Sequence, residues 1–299
     1  MIESSANEIG KIESWVLASR PKTLFAALVP VIVGTSLAVY DHKFIPSAAV
    51  VALLCSLLIQ IGTNFVNDLY DYLAGSDKSE RLGPQRVLAS GLITVQEMKF
   101  AIYFTFILTF ILGLYLVYLG GWLILLIGII SIFAGIAYTA GPFPLAYNGL
   151  GDIFVFLFFG FVGTVGTYYV QAGELTMLAF WSSVPVGAMI TNILVVNNYR
   201  DIEEDKRAGK NTLAVKMGHR FTRAQYIVFM ILSYVTPVIV YFTFKQSLWI
   251  FLPFLSVPLS IKLVGMIYTL EGKELNKTLE LTSKLSAIYG ILFAVGILI

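Results

Sequence analysis

The sequence predicts an all-α polytopic membrane protein, with nine transmembrane helices forming a single domain over residues 1–299. Two observations carry this. Hydrophobic residues make up 58% of the chain and charged residues 13%, with a mean hydropathy of +0.82; a soluble domain is nearer half apolar and about a quarter charged. The apolar residues also come in continuous runs of about 20, the length a helix needs to cross a hydrocarbon layer of roughly 30 Å. Barrel strands would alternate in polarity and be shorter.

In chain order the runs cover 23–40, 47–67, 98–119, 122–140, 152–171, 177–198, 222–243, 248–268 and 283–299, each bounded by charge, glycine or proline. The first follows Arg20-Pro21-Lys22, and the second opens after Pro46 and leaves the lipid through Asn64 and Asp68. Gly120-Gly121 parts the third from the fourth, which ends before Gly141-Pro142-Phe143-Pro144. The fifth and sixth flank Gly173-Glu174, the sixth runs into a charged loop from Arg200, and the last three are split by lysine-bearing turns. The N-terminal stretch is polar and acidic before it turns apolar, unlike the basic start of a cleaved signal, so the first run is expected to stay as a helix. The one cysteine, Cys55, lies inside the second run and reads as a free core thiol with no disulfide partner.

A net charge of +2 says little about partners, and nothing in the sequence points to nucleic acid; the distribution of charge says more. With nine spans and a cytoplasmic N-terminus, all but two of the 20 lysines and arginines fall inside; Lys43 and Lys245 are the exceptions. Positive residues collect on the cytoplasmic side, so the asymmetry supports a multi-pass protein of the cell (inner) membrane with its long polar loops in the cytoplasm.

Two of those loops begin alike. The first reads Asn64-x-x-x-Asp68-x-x-Asp71-x-x-x-Gly75 and the second Asn197-x-x-x-Asp201-x-x-x-Asp205-x-x-x-Gly209, at the ends of the second and sixth runs. Four spans separate them, so spans 1–4 and 5–8 are expected to be parallel pseudo-repeats with a ninth helix appended. Helical spacing gathers each trio on one face. Carboxylates converging from two halves would repel unless a cation lay between them. Hard oxygen donors without histidine or cysteine point to magnesium, completed by water and phosphate oxygens. His42 and His219 lie far from both motifs in sequence.

Cations flank the carboxylates: Arg20 and Lys22 before the first span, Arg81 and Arg86 after the first motif, and Arg200, Lys206, Arg207 and Lys210 around the second. They suit a polyanion such as diphosphate. Arg20, Arg86 and Lys210 are read as anion ligands; Lys206, Arg207, Lys216 and Arg220 are read as ordinary positive-inside residues. A solvated helix end would explain one Asn-x-x-x-Asp, but not its recurrence in both halves. A third loop, Ala137 to Asp152, is nearly uncharged and offers Tyr138, Phe143 and Tyr147. Their rings suit a flat aromatic acceptor or a nearby cation, and interfacial turn chemistry accounts for them equally well.

These motifs resemble those of the UbiA superfamily of intramembrane aromatic prenyltransferases, over essentially the whole chain. "RPKTL", "NFVNDLYDYLAGSD", "RLGPQRVLASGLI", "YTAGPFPLAYNGLGD" and "NNYRDIEEDKRAGKNTLAV" are most similar to the 1,4-dihydroxy-2-naphthoate prenyltransferases of menaquinone synthesis, the MenA group. One departure is Gly75, where many relatives carry an Asp; Asp77 stands close by as a substitute. The resemblance implies that Asn64, Asp68, Asp71, Asp201 and Asp205 hold Mg2+ and diphosphate, with Asn197 in support. It implies that Arg20, Arg86 and Lys210 bind diphosphate oxygens and that Tyr138 faces the allylic carbon. The implied substrates are a polyprenyl diphosphate, entering from membrane lipid, and 1,4-dihydroxy-2-naphthoate; the implied products are demethylmenaquinone, CO2 and diphosphate. A 4-hydroxybenzoate or homogentisate prenyltransferase is the nearest alternative. An ion-coupled transporter would place its carboxylates near the midplane on broken helices, and a soluble isoprenyl diphosphate synthase is excluded by the spans.

Overall fold

The computed structural model describes residues 10–75, 82–83 and 86–299. Asp77 and Arg81, singled out in the sequence, lie outside the described residues. Eleven helices are used here: α1 (Lys11–Ser19), α2 (Phe25–Tyr40), α3 (Pro46–Leu73), α4 (Val95–Gly120), α5 (Trp122–Ala137), α6 (Gly151–Ala172), α7 (Met177–Arg200), α8 (Ile202–Arg207), α9 (Leu213–Phe244), α10 (Leu248–Thr269) and α11 (Leu275–Leu298). Every predicted run coincides with one of them. Among the described residues seven helices are long and apolar enough to cross a membrane, and α1 with α2, bent by 52°, forms an eighth candidate. α5, at 16 residues, is shorter than a full crossing.

Local chemistry fixes the helix starts. Pro46 occupies the first turn of α3, where its missing N–H costs nothing. Thr94 and Glu97 form a capping box at α4: the Thr94 hydroxyl accepts from Glu97 N, and Glu97 Oε2 accepts from Thr94 N. Thr176 and Thr212 cap α7 and α9 in the same sense, each accepting from the backbone N–H three residues on.

α7 is the hub, with 83% of its apolar window buried inside the protein, against 22% for α4. Its buried residues include the small or polar Ser182, Ser183, Gly187, Thr191 and Asn192 beside apolar Val186, Met189 and Val196, while α4 turns Phe100, Phe104, Ile107, Ile111 and Tyr118 outward. Apolar side chains turned outward together with small and polar residues at the helix contacts fit a chain in lipid, where helices associate through close backbone approach and hydrogen bonds. Several polar side chains bond within the bundle: Thr191 donates to Gly187 O, Asn192 Nδ2 to Tyr226 O at 3.1 Å, and Tyr289 to Ser233 O.

α6 widens into a π-helix over Phe156–Val165, and its glycines let it sit directly on its neighbours. A Cβ on Gly160 would stand 2.9 Å from Gly187 Cα and 3.1 Å from Ser183 O, both backbone atoms of α7. Gly160→Ala is therefore expected to destabilise the protein by about 1–3 kcal/mol through overpacking, read as a lowered Tm in detergent; an unchanged Tm would mean the α6–α7 contact yields freely.

Candidate active site

A cavity of about 820 Å³ runs into the bundle between α2, α3, α4, α5, α6 and α7. Its shaft is apolar, with Pro30, Ile59, Phe110, Ile124, Phe158 and Val162 among the lining residues. One end is charged: Arg20, Asn64, Asp71 and Arg86 come from the first half of the chain, and Asn197, Asp201, Asp205 and Lys210 from the second.

α3 continues for two turns past Asn64, so Asn64, Asp68 and Asp71 fall on its inner face as the spacing predicts, each buried. Asn64 Nδ2 donates to Ser19 O at 2.9 Å and Thr23 Oγ1 at 3.1 Å, tying α3 to the turn between α1 and α2. Arg20 heads that turn at φ 51°, a left-handed backbone uncommon for a residue with a side chain, and lines the cavity. Asp71 is the meeting point. It accepts from Arg86 Nη2 at 2.9 Å, from Lys210 Nζ at 3.0 Å and from the Tyr147 hydroxyl. Asp68 lies 3.7 Å from Arg86 Nε and is not among the residues lining the cavity.

The second motif departs from the uninterrupted helix that its spacing suggests. α7 stops at Arg200, Asp201 takes φ −96° and ψ 8°, and α8 restarts at Ile202, although Asp205 N still donates to Asp201 O at 2.8 Å. The break lets Arg200 fold back on its neighbour: Nε donates to Asp201 Oδ1 at 2.6 Å, Nη2 to Oδ2 at 2.7 Å and to Asn197 Oδ1 at 2.9 Å, and Nη1 to Asn276 Oδ1 at 2.6 Å. Gly209, at φ +73°, then reverses the chain so that Lys210 crosses to Asp71 and stays 4.0 Å from Asp205.

The carboxylates of the two halves thus meet through cations. Among the described residues no three His, Cys, Asp or Glu side chains gather closely enough to hold a metal ion by themselves. The donor chemistry still fits magnesium: Asp71, Asp201 and Asp205 present hard oxygens to a cavity end without histidine or cysteine, and a Mg2+ shell is ordinarily completed by water and phosphate oxygens.

Of the third loop, Tyr138 and Tyr147 line the cavity, whereas Phe143 is 58% exposed and does not. The Tyr138 hydroxyl lies 3.1 Å from where a Cβ on Gly151 would stand, so a side chain at 151 would crowd it. Lys210 Nζ sits 4.7 Å from the Tyr147 ring centre. Arg200, named in the sequence only as one of several rim cations, organises the second motif. Asn276, at the start of α11, carries no sequence signal; it is found only because Arg200 reaches it and it donates in turn to Leu82 O at 2.9 Å. Asn67 and Thr139, bonded at 2.7 Å, also line the cavity unannounced.

A multi-helix membrane bundle whose two Asn/Asp motifs meet at one end of an apolar cavity is matched by known proteins. The chain belongs to the UbiA prenyltransferase family, whose pattern covers residues 27–288. It is 37% identical to the 1,4-dihydroxy-2-naphthoate octaprenyltransferase of Escherichia coli (strain K12), over 97% of this chain and 96% of that one. In fold it is similar to a UbiA homologue from Aeropyrum pernix K1 (TM-score 0.71, 15% identity, 91% of this chain and 97% of that one). It is likewise similar to one from Archaeoglobus fulgidus solved with DMAPP and Mg2+ (TM-score 0.64, 16% identity, 94% and 99%).

Proposed function

We propose that the protein transfers a polyprenyl group from polyprenyl diphosphate to 1,4-dihydroxy-2-naphthoate, releasing diphosphate and CO2 and giving demethylmenaquinone. The observation that carries this is one continuous cavity, charged at one end and apolar along its shaft, in a chain 37% identical to an enzyme of that name. An allylic diphosphate has the same division: a polyanionic head and a long hydrocarbon tail.

Arg20, Arg86 and Lys210 hold the diphosphate oxygens. As the allylic C–O bond breaks, negative charge builds on the leaving group, and these fixed cations stabilise it where water would have to reorganise. Asp71, Asp201 and Asp205, with Asn64, Asp68 and Asn197 beside them, would hold Mg2+, which supplies further stabilisation of leaving-group charge when bound. Before substrate binds, Asp71 keeps Arg86 and Lys210 at the mouth. Tyr138 presents its ring to the allylic carbon and favours the developing cation. The apolar shaft keeps water from capturing that cation as an alcohol. The naphthoate ring attacks through the carbon bearing its carboxylate; a C–C bond forms, and the electron pair released with CO2 restores the aromatic ring.

The whole chain acts as one domain. α5 completes a ninth crossing, spans 1–4 and 5–8 are parallel pseudo-repeats, and α11 is appended. The lysine and arginine asymmetry supports a cytoplasmic N-terminus and active site in the cell (inner) membrane. The test is mass spectrometry of products from purified protein in nanodiscs given polyprenyl diphosphate and the naphthoate, with CO2 counted in parallel. Prenylated, decarboxylated product is expected, and it should vanish with a chelator and return with added Mg2+. Transfer that persists in the chelator removes the metal; transfer without CO2 removes the naphthoate and redirects the search to other aromatic acceptors.

A further inference from the structure

A second pocket, of about 900 Å³, opens between α10 and α11, and it shares Lys22, Asn276 and Glu280 with the wall of the main cavity. Five lysines line it against two glutamates. Glu280 is already engaged on both oxygens, by Lys22 at 2.7 Å and Lys284 at 2.8 Å. Lys262, Lys273 and Lys277 form no ion pair with any described residue, so three positive charges converge on one groove. Its floor is Met266, Leu270 and Leu281.

Depth separates this from an ordinary cationic rim. Lys262 precedes the end of α10 by seven residues, which places its backbone about 10 Å down the helix from the loop. It is exposed there, on a helix long and apolar enough to cross a membrane. A lysine at that depth is costly unless its chain lies along apolar surface and its ammonium reaches an anion at headgroup level.

We propose that this groove binds the headgroup of an anionic phospholipid, with the phosphate on Lys262, Lys273 and Lys277 and an acyl chain against Met266, Leu270 and Leu281. A soluble anion would need neither the apolar floor nor a lysine set two turns back from the loop. Basic pockets between helices, close to the membrane surface, suit such headgroups. The inference rests on the multi-pass membrane assignment and is independent of the aromatic acceptor.

The experiment is native mass spectrometry of protein released from vesicles of phosphatidylcholine and phosphatidylglycerol, comparing wild type with K262Q/K273Q/K277Q and with a control triple, K99Q/K206Q/R207Q, at exposed positions elsewhere. At roughly fivefold per lysine, the groove triple should lose about 10²-fold of the preference for retained phosphatidylglycerol, and the control triple should keep it. K262Q alone, read on protein whose Tm matches wild type, should lose about fivefold. Equal losses in both triples would reduce the effect to diffuse surface charge, and no loss in the groove triple would remove the site. Displacement of the retained lipid by millimolar inorganic diphosphate would reassign the groove to a soluble anion and overturn the proposal.

Discussion

Asp71→Asn is expected to lower prenyl transfer by about 10²–10³-fold, the loss typical when one preorganised electrostatic contact is removed from a reaction centre. Asp71 lines the cavity and holds one cation from its own half, Arg86, and one from the other, Lys210. The amide keeps the shape and removes the charge, so both cations lose their anchor, and so does the site proposed above for Mg2+. Asp205→Asn, on the opposite wall, is expected to be comparably damaging. Residues that act as a unit lose most of their effect at the first substitution, so the double variant should be scarcely worse than either single one. Initial rates in nanodiscs, with retained Tm as the control for folding, decide this. Small losses that multiply in the double variant would return both residues to solvated helix ends.

Arg200→Ala is expected to be the most destabilising substitution in the charged end, at about 3–5 kcal/mol, because it strands a buried carboxylate. The side chains of Arg200 and Asp201 are 1% and 5% exposed, and the guanidinium spends all three nitrogens on Asp201, Asn197 and Asn276. Lysine is not a substitute, since a point charge cannot reproduce the planar fork. The informative comparison is Arg200→Ala/Asp201→Ala, which removes both charges and should recover part of the stability lost in Arg200→Ala alone. Unfolding midpoints in detergent measure it. A double variant less stable than Arg200→Ala would mean that the pair contributes through something other than mutual neutralisation.

The two predictions differ in how much of their basis the sequence already contained. Asp71 and Asp205 stand out because each follows an Asn-x-x-x-Asp that recurs at the ends of two apolar runs, and helical periodicity predicts that each set shares a face. The importance of Arg200 over Lys206 or Arg207 had no such sign: all three are cations in one short loop, and only the break at Asp201 turns the first inward. Asn276 lies 76 residues from its partner Arg200, a separation that no local pattern spans. Tyr147 was visible as an aromatic in a turn, but that its hydroxyl meets Asp71 follows from the fold of the Ala137–Asp152 loop.

The sequence by itself determined what the bilayer dictates. Long apolar runs must be helices because no water is available to satisfy their backbone groups, and charge between the runs must collect at their ends. It also determined which residue types stand at the C-terminal ends of α3 and α7. Tertiary structure decided the pairing. Arginine and lysine are long, mobile and chemically alike in their attraction to carboxylates, so sequence cannot rank several cations for several acids. Packing α3 against the chain that follows α7 brings Lys210 to Asp71, and the break after Arg200 gives Asp201 to a buried guanidinium. Those choices depend on distances fixed by helix packing across the bundle, which is why the carboxylates were legible as a set and their partners were not.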